Sequence, residues 1–174
     1  MANLRDIKRR IRAVKNTRQI TRAMQMVAES KMRRAQDAAI AGIPYAVFLA
    51  DLLESVVRHS ERFTHPLFEE RPVKRRGVVV FSTDRGLCGA LNANLFRYLA
   101  NNHPVEGYRY IAVGKKATQF LSRTRRELIA DFDLGESVSF RQVRMLSDFL
   151  VEQFKEQKID AFHLLYPRFI NTLV

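Results

Sequence analysis

The feature that most limits what this chain can fold into is its first third: from Asn3 to about Val57 only Gly42 and Pro44 interrupt a run dominated by Ala, Arg, Lys, Met and Gln. Residues of that kind favour helix, and no turn-forming cluster gives the chain a place to fold back. One long helix is predicted over residues 1–58. Proline removes a backbone donor and costs about 3 kcal/mol in a helix interior, so a kink or a break is expected near residues 42–44. At about 1.5 Å per residue, such a helix is roughly 80 Å long, several times the radius of a domain this size.

Apolar residues recur along it at coiled-coil spacing. Leu4, Ile7, Ile11 and Val14 are followed by Ile20, Met24 and Val27, and then by Ala28, Met32, Ala35 and Ala39, with steps of three or four residues within each group. This draws a narrow seam that slips between Asn16 and Gln19. Nothing else in the 174 residues is long enough to pair along it, so the partner helix is expected outside this chain. Beyond Pro44, Phe48, Leu49, Leu52, Leu53, Val56 and Val57 make a broader apolar face, suited to docking on a globular body.

The same segment carries most of the chain's charge. The formal net charge is +12, yet residues 1–36 hold eleven Lys or Arg against only Asp6 and Glu29, leaving nineteen basic and sixteen acidic groups elsewhere. Like charges on adjacent turns destabilise a helix by a few tenths of a kcal/mol per pair, a cost that anionic surroundings offset. The expected partner is therefore acidic: nucleic acid, an anionic membrane surface or a carboxylate-rich protein. Cys88 is the only cysteine, which excludes an intrachain disulfide and points to a reducing compartment. No uninterrupted apolar stretch nears the ~18 residues that span a bilayer, and the N-terminus lacks the apolar core of a secretory signal. A soluble or peripheral protein is expected. Asp6 and the continuing helical pattern argue against a transit peptide.

Residues 59–76 contain two prolines and mixed charge and read as a connecting loop. From residue 77 the pattern changes. Apolar runs at 77–82, 108–113, 127–132 and 160–166 read as strands, and 91–101, 115–122 and 140–157 as helices. Alternation of this kind predicts an α/β layered, Rossmann-like domain over residues 77–174 with a mostly parallel sheet. The 47% hydrophobic composition supports one such domain plus one further element, not a second full domain. Leu173 and Val174 read as part of a further apolar strand, and the polypeptide is expected to be incomplete.

Few constellations suggest chemistry. Thr83-Asp84-Arg85-Gly86-Leu87-Cys88-Gly89-Ala90 lies between a strand and a helix, where phosphate loops occur. Its two glycines three apart, with no Lys-Ser/Thr after them, match neither a dinucleotide fingerprint nor a Walker loop. A tight strand-to-helix connection, with glycine allowing close backbone approach, is the simpler reading. Cys88 beside Arg85 and a helix N-terminus has the setting of an activated thiol, but a small loop residue is the plainer account. His59, His65, His103 and His163 lack metal spacing, and there is no second cysteine to complete a zinc site. Asp131, Asp133 and Glu136 follow a strand as a solvated loop would.

Three segments carry a family resemblance. Residues 16–33 (NTRQITRAMQMVAESKMR) resemble the N-terminal signature helix of ATP synthase gamma subunits, residues 82–92 (STDRGLCGALN) the family's central motif, and residues 168–172 (RFINT) the motif of a later strand. They stand in the family's order and the resemblance covers essentially the whole chain. It implies an antiparallel coiled coil of N- and C-terminal helices inside the ring of alpha and beta catalytic subunits. It also implies an α/β domain outside that ring, near the epsilon subunit and the membrane rotor ring. The C-terminal helix of that pattern is absent here.

By the resemblance, Arg9, Arg10, Lys15, Arg18, Met24, Ser30, Lys31, Met32 and Arg33 are shaft positions facing the catalytic ring, and Arg85, Gly86, Leu87 and Cys88 lie near the foot of the rotor. The family implies no catalytic residue, cofactor or metal in this chain, and contact with the membrane only through the complex, at the cytoplasmic face of a bacterial inner membrane. Two other functions are weighed. A nucleic-acid-binding protein with a basic helical arm accounts for the charge, although not for the apolar seam. A nucleotide-dependent α/β enzyme rests on the glycine loop alone.

Overall fold

The computed structural model describes residues 3–59, 65–69, 71–135 and 138–169, and the chain divides into two units, Met1–Phe63 and Thr64–Val174. The first is built on one element, α1 (Leu4–His59), 56 residues long. Asn3 opens it, its carbonyl accepting from the N–H groups of Asp6 at 2.8 Å and Ile7 at 3.2 Å. Of the kink or break expected near residues 42–44, the break does not occur: α1 runs through Pro44. One proline forgoes one bond of the i to i−4 ladder, and the Ala, Ile, Val and Leu residues around it let the ladder resume.

No residue of α1 is buried. An 18-residue window of it reaches a mean hydropathy of 1.7 with no more than two charged residues, apolar enough by length and composition to cross a membrane. Counting only uninterrupted runs misses this window, since Asp51 and Glu54 interrupt the apolar segment. With Arg58 they fall at i, i+3 and i+7, one polar stripe on a helix end that is otherwise apolar.

In the second unit a short 3₁₀ turn, Pro66–Phe68, lies inside the segment read as a loop. There follow β1 (Arg76–Phe81), α2 (Leu91–Asn102), β2 (Tyr108–Val113), α3 (Lys115–Arg123), β3 (Leu128–Phe132), α4 (Phe140–Lys155) and β4 (Ala161–Leu165). The strands form one sheet in the order β3-β2-β1-β4, and every pairing among them is parallel. The residues expected as a last strand at 173–174 lie outside the described residues.

Both faces of the sheet are covered, which is why its central strands read as continuous apolar runs rather than alternating ones. On one face Val78, Val80, Tyr110 and Ala112 pack with Leu95 and Leu99 of α2 and Ala117 and Leu121 of α3. On the other, Val79, Ile111 and Val113 pack with Leu146 of α4 and with Ile159. The chain thus winds outward from β1 to β3 over one face and returns over the other to β4, so the strand order reverses beside β1. Crossovers of one hand on a twisted sheet require the helices to change faces there.

Arg71 pins the entry to the sheet. Its guanidinium lies 3.9 Å from the Phe154 ring centroid, Nη2 donates to the carbonyls of Phe154 and Ile159 at 2.8 Å each, and Nε lies 3.2 Å from Asp160 Oδ1.

Candidate functional site

Two surfaces carry the residues singled out in the sequence. The first is the circumference of α1. Arg5, Lys8, Arg9 and Arg12 stand at i, i+3, i+4 and i+7 and share one side of the helix; Lys15, Arg18 and Arg22 extend that band in steps of three and four, drifting around the axis. At about 100° per residue Arg9 shares a side with Arg5, Lys8 and Arg12, whereas Arg18, nine residues on, stands opposite Arg9; Arg5, Lys8, Arg12 and Arg22 were not among the shaft positions named from the resemblance. Their spacing was signal enough. Arg10 lies on the other side. Arg9 is tied to Asp6 at 3.3 Å.

Farther along, Met24 and Met32 follow the apolar seam, 50% and 43% exposed. Ser30, Lys31, Met32 and Arg33 are consecutive helical positions about 100° apart and so circle the axis. No single flat surface can touch all four.

The second surface is the connection from β1 to α2. Its first three residues are spent on a different helix. Gly114 precedes α3 and has no side chain to cap it, and the caps come from across the sheet edge. The N–H of Lys115 donates to Asp84 Oδ1 at 3.0 Å, that of Lys116 to the Thr83 carbonyl at 3.1 Å, and that of Ala117 to Ser82 Oγ at 2.7 Å. Three of the N-terminal donors that a helix leaves unpaired are satisfied in this way. The first three donors of α3 are thus occupied by the residues that leave β1.

The close backbone approach expected at the loop glycines is found elsewhere. A Cβ at Gly86 or Gly89 would meet nothing within 4 Å, whereas one at Gly114 would stand 2.4 Å from the Ser82 carbonyl oxygen. Gly89 is needed for a different reason, its φ of +59°. Leu87 adopts φ +62° as well, a conformation that costs a residue with a Cβ about 1–2 kcal/mol, and its side chain is 93% exposed. Cys88 is half-buried, its Sγ accepting from Asn92 Nδ2 at 3.2 Å.

Other candidates disperse. Asp133 accepts from the Gly135 N–H at 2.9 Å and faces Lys115 Nζ at 3.7 Å, while Glu136 lies outside the described residues. The rings of His103 and His163 come within 5.6 Å, a proximity invisible in sequence, but among the described residues no three His, Cys, Asp or Glu side chains are grouped to hold a metal. Burial, and then the charges of His163 and Arg126, hold the His103 imidazole below its ordinary pKa. Arg126 is buried and donates to the carbonyl of His103 at 2.8 Å and to the Tyr110 hydroxyl.

Comparison with known proteins places this geometry. A family model described as ATP synthase matches residues 3–174. The chain is 45% identical over 174 residues to the ATP synthase gamma chain of Opitutus terrae, covering all of this chain and 58% of that one. It is 42% identical over 179 residues to that of Methylacidiphilum infernorum, covering 61% of it. The chain thus spans about three fifths of the length of these relatives. Its fold is similar to a chain in the central stalk and c-ring structure of Tetrahymena thermophila mitochondrial ATP synthase, with a TM-score of 0.67 and 28% identity over 87% of this chain and 66% of that one.

Proposed function

Since this chain belongs to the ATP synthase gamma-chain family, we propose that it forms part of the central rotor stalk of a rotary ATP synthase, coupling proton-driven rotation to ATP synthesis in the subunits around it. It catalyses nothing itself. In this reading α1 turns inside the ring of alpha and beta subunits, and the α/β unit serves the foot of the stalk, beside epsilon and the membrane rotor ring. The complex holds the chain at the cytoplasmic face of a bacterial inner membrane.

One observation carries the reading: a single helix combines an uncovered apolar seam with a dense cationic band. The seam residues Leu4, Ile7, Ile11, Val14, Ile20, Met24 and Met32 are 43% to 69% exposed. A seam of that kind asks for a partner helix, and the band asks for acidic surroundings. Nucleic acid would answer only the second demand, and none of the comparisons supports it. A partner shifts an equilibrium only by its differential affinity for the states. A helix that is cationic on one side and apolar on another presents a different face to each of three catalytic sites, and rotation changes which site meets which face. Arg9, Lys15, Arg18, Lys31 and Arg33 supply the charge, Met24 and Met32 the apolar contact, and Arg10 and Ser30 the remaining faces.

Co-expression with the alpha, beta and epsilon subunits of an ATP synthase tests this. Native mass spectrometry is expected to find one copy of the chain per ring, and hydrogen exchange to find residues 4–40 protected in the assembly and not in the free chain. Protection of that segment in a free monomer, or failure to enter the ring, overturns the proposal.

A further inference from the structure

At a strict seven-residue repeat, one face of α1 runs without a slip from Leu4 to Val56, in alternating steps of three and four. Its two ends are apolar. Leu4, Ile7, Ile11 and Val14 lie at one and Leu49, Leu53 and Val56 at the other, all 38% to 69% exposed. Between them the face is uneven: Arg18, Thr21 and Gln25 are polar, whereas Ala35, Ala39 and Gly42 are small. Pro44 stands at an outward position of the repeat, off this face. Among the described residues the next longest helix, α4, has 16 residues, too few to cover a face on a helix of 56.

The face complements itself when reversed, and we propose that two copies of this chain pair through α1 as an antiparallel coiled coil. With the two-fold axis level with Ser30, Leu4 meets Val56 of the second copy, Ile7 meets Leu53 and Ile11 meets Leu49. Across the middle Arg18 meets Gly42, Thr21 meets Ala39 and Gln25 meets Ala35. Each polar side chain there crosses a small residue and carries its polar end out to solvent. A two-fold interface requires this reciprocity, in which residue i contacts j and j contacts i. Charge selects the same direction. Residues 1–36 hold eleven Lys or Arg and two acidic residues, whereas residues 37–59 hold Asp37, Asp51 and Glu54 against Arg58 and His59. Antiparallel pairing lays the cationic part of one helix on the acidic part of the other. Parallel pairing would set Arg18 against Arg18 and the two cationic parts against each other, the like-charge juxtaposition that excludes a wrong arrangement.

The second copy competes with any other cover for the seam, so in the proposed role the pair separates before either chain turns in a ring. Well below the dissociation constant the free chain is a monomer, the state in which residues 4–40 exchange freely. Sedimentation equilibrium on the full chain is expected to show monomer and dimer interconverting at concentrations up to about 100 μM. Each substitution counts twice in a two-fold pair. Ile11→Ala is therefore expected to raise the dissociation constant at least about a hundredfold. Ile40→Ala, the same deletion at an outward position, 65% exposed, leaves it within about fivefold. Cross-linking reads the direction. With Cys88→Ser removing the native thiol, chains bearing Ile7→Cys are mixed with chains bearing Leu53→Cys and oxidised; disulfides are expected between the two kinds of chain and not within either. A chain that stays monomeric to about 100 μM, or an Ile11→Ala chain that dimerises like its parent, overturns the pairing. Cross-links of Ile7→Cys chains to each other overturn the antiparallel direction. Co-expression with the ring subunits tests the stalk role separately, so either reading fails without the other.

Discussion

Replacing Gly114 by alanine puts the loop architecture under the most direct strain. An added Cβ would stand 2.4 Å from the Ser82 carbonyl oxygen and 3.1 Å from its carbonyl carbon, at a φ of +95°. The left-handed backbone alone costs about 1–2 kcal/mol for a residue with a Cβ. Overpacking adds about 1–3 kcal/mol, and the obstacle is backbone, not a side chain that can swing away. If Ser82 moves, the Ala117 N–H loses its cap at 2.7 Å, worth about 1 kcal/mol more. The sum is about 3–6 kcal/mol, a large share of the 5–15 kcal/mol a domain typically has. Gly86→Ala is the control, since nothing lies within 4 Å of its Cβ and no positive φ applies. Urea denaturation followed by a signal from the α/β unit should show Gly114→Ala unfolding far earlier and Gly86→Ala within about 0.5 kcal/mol of the parent. A Gly114→Ala protein less than about 1 kcal/mol below the parent would mean that the close approach to Ser82 relaxes cheaply, and the account of the α3 cap would fail with it.

Two further outcomes follow from the same unit. Gln157 sits at φ +56° just past α4, so Gln157→Gly is expected to raise stability by about 0.5–1 kcal/mol, the relief of a left-handed side chain less the added freedom of glycine when unfolded; thermal denaturation checks it. The folded chain should weaken on acidification in two stages. His103 is held below its ordinary pKa mainly by burial, so the unfolded chain takes up the proton first and stability falls as pH drops below the ordinary imidazole value. Asp160 is held low chiefly by the Arg75 N–H, with burial opposing and the Lys74 N–H and Arg71 adding, so its contribution is present above the ordinary carboxyl range and is lost at lower pH. In pH-dependent denaturation His103→Gln should flatten the upper stage and Asp160→Asn the lower; equal slopes in the parent and both variants would refute the assignment.

How much of this was legible in the sequence differs by region, for physical reasons. The α/β elements were readable because Val78–Val80 and Tyr110–Val113 are apolar on both faces, and a strand buried on both sides writes its position as an unbroken run. At Pro44 the single long helix read from the sequence is kept, because the helix formers on either side carry α1 through the one lost backbone bond. The central motif was visible as a pattern but not as a mechanism. Ser82, Thr83 and Asp84 look like the start of a loop and act as the cap of a helix about thirty residues later. Gly114, whose lack of a Cβ makes that possible, carries no local signature. The cationic positions on α1 needed only the helical period; Arg5, Lys8, Arg12 and Arg22 were counted in its charge without being named as shaft positions.

The two units also differ in what their folding requires. Val78, Val79, Val80, Leu99, Tyr110, Ile111, Ala112, Ala117, Leu121 and Ile159 are wholly enclosed, so the α/β unit derives its stability from its own core. The α1 helix has no such residue. Burying a Leu- or Ile-sized side chain is worth about 1.5–3 kcal/mol, so covering the seven seam residues would contribute on the order of 10 kcal/mol before the entropy of ordering is subtracted. Helix propensity does not supply that amount, because most helical stability in proteins comes from tertiary packing of an apolar face. The order of α1 is therefore tied to whatever covers its seam, while the cap of α3 beside Gly114 is not. In the proposed role the two units divide the work: the α/β unit holds its loop by its own core, and the helix gains rigidity from whatever covers its seam.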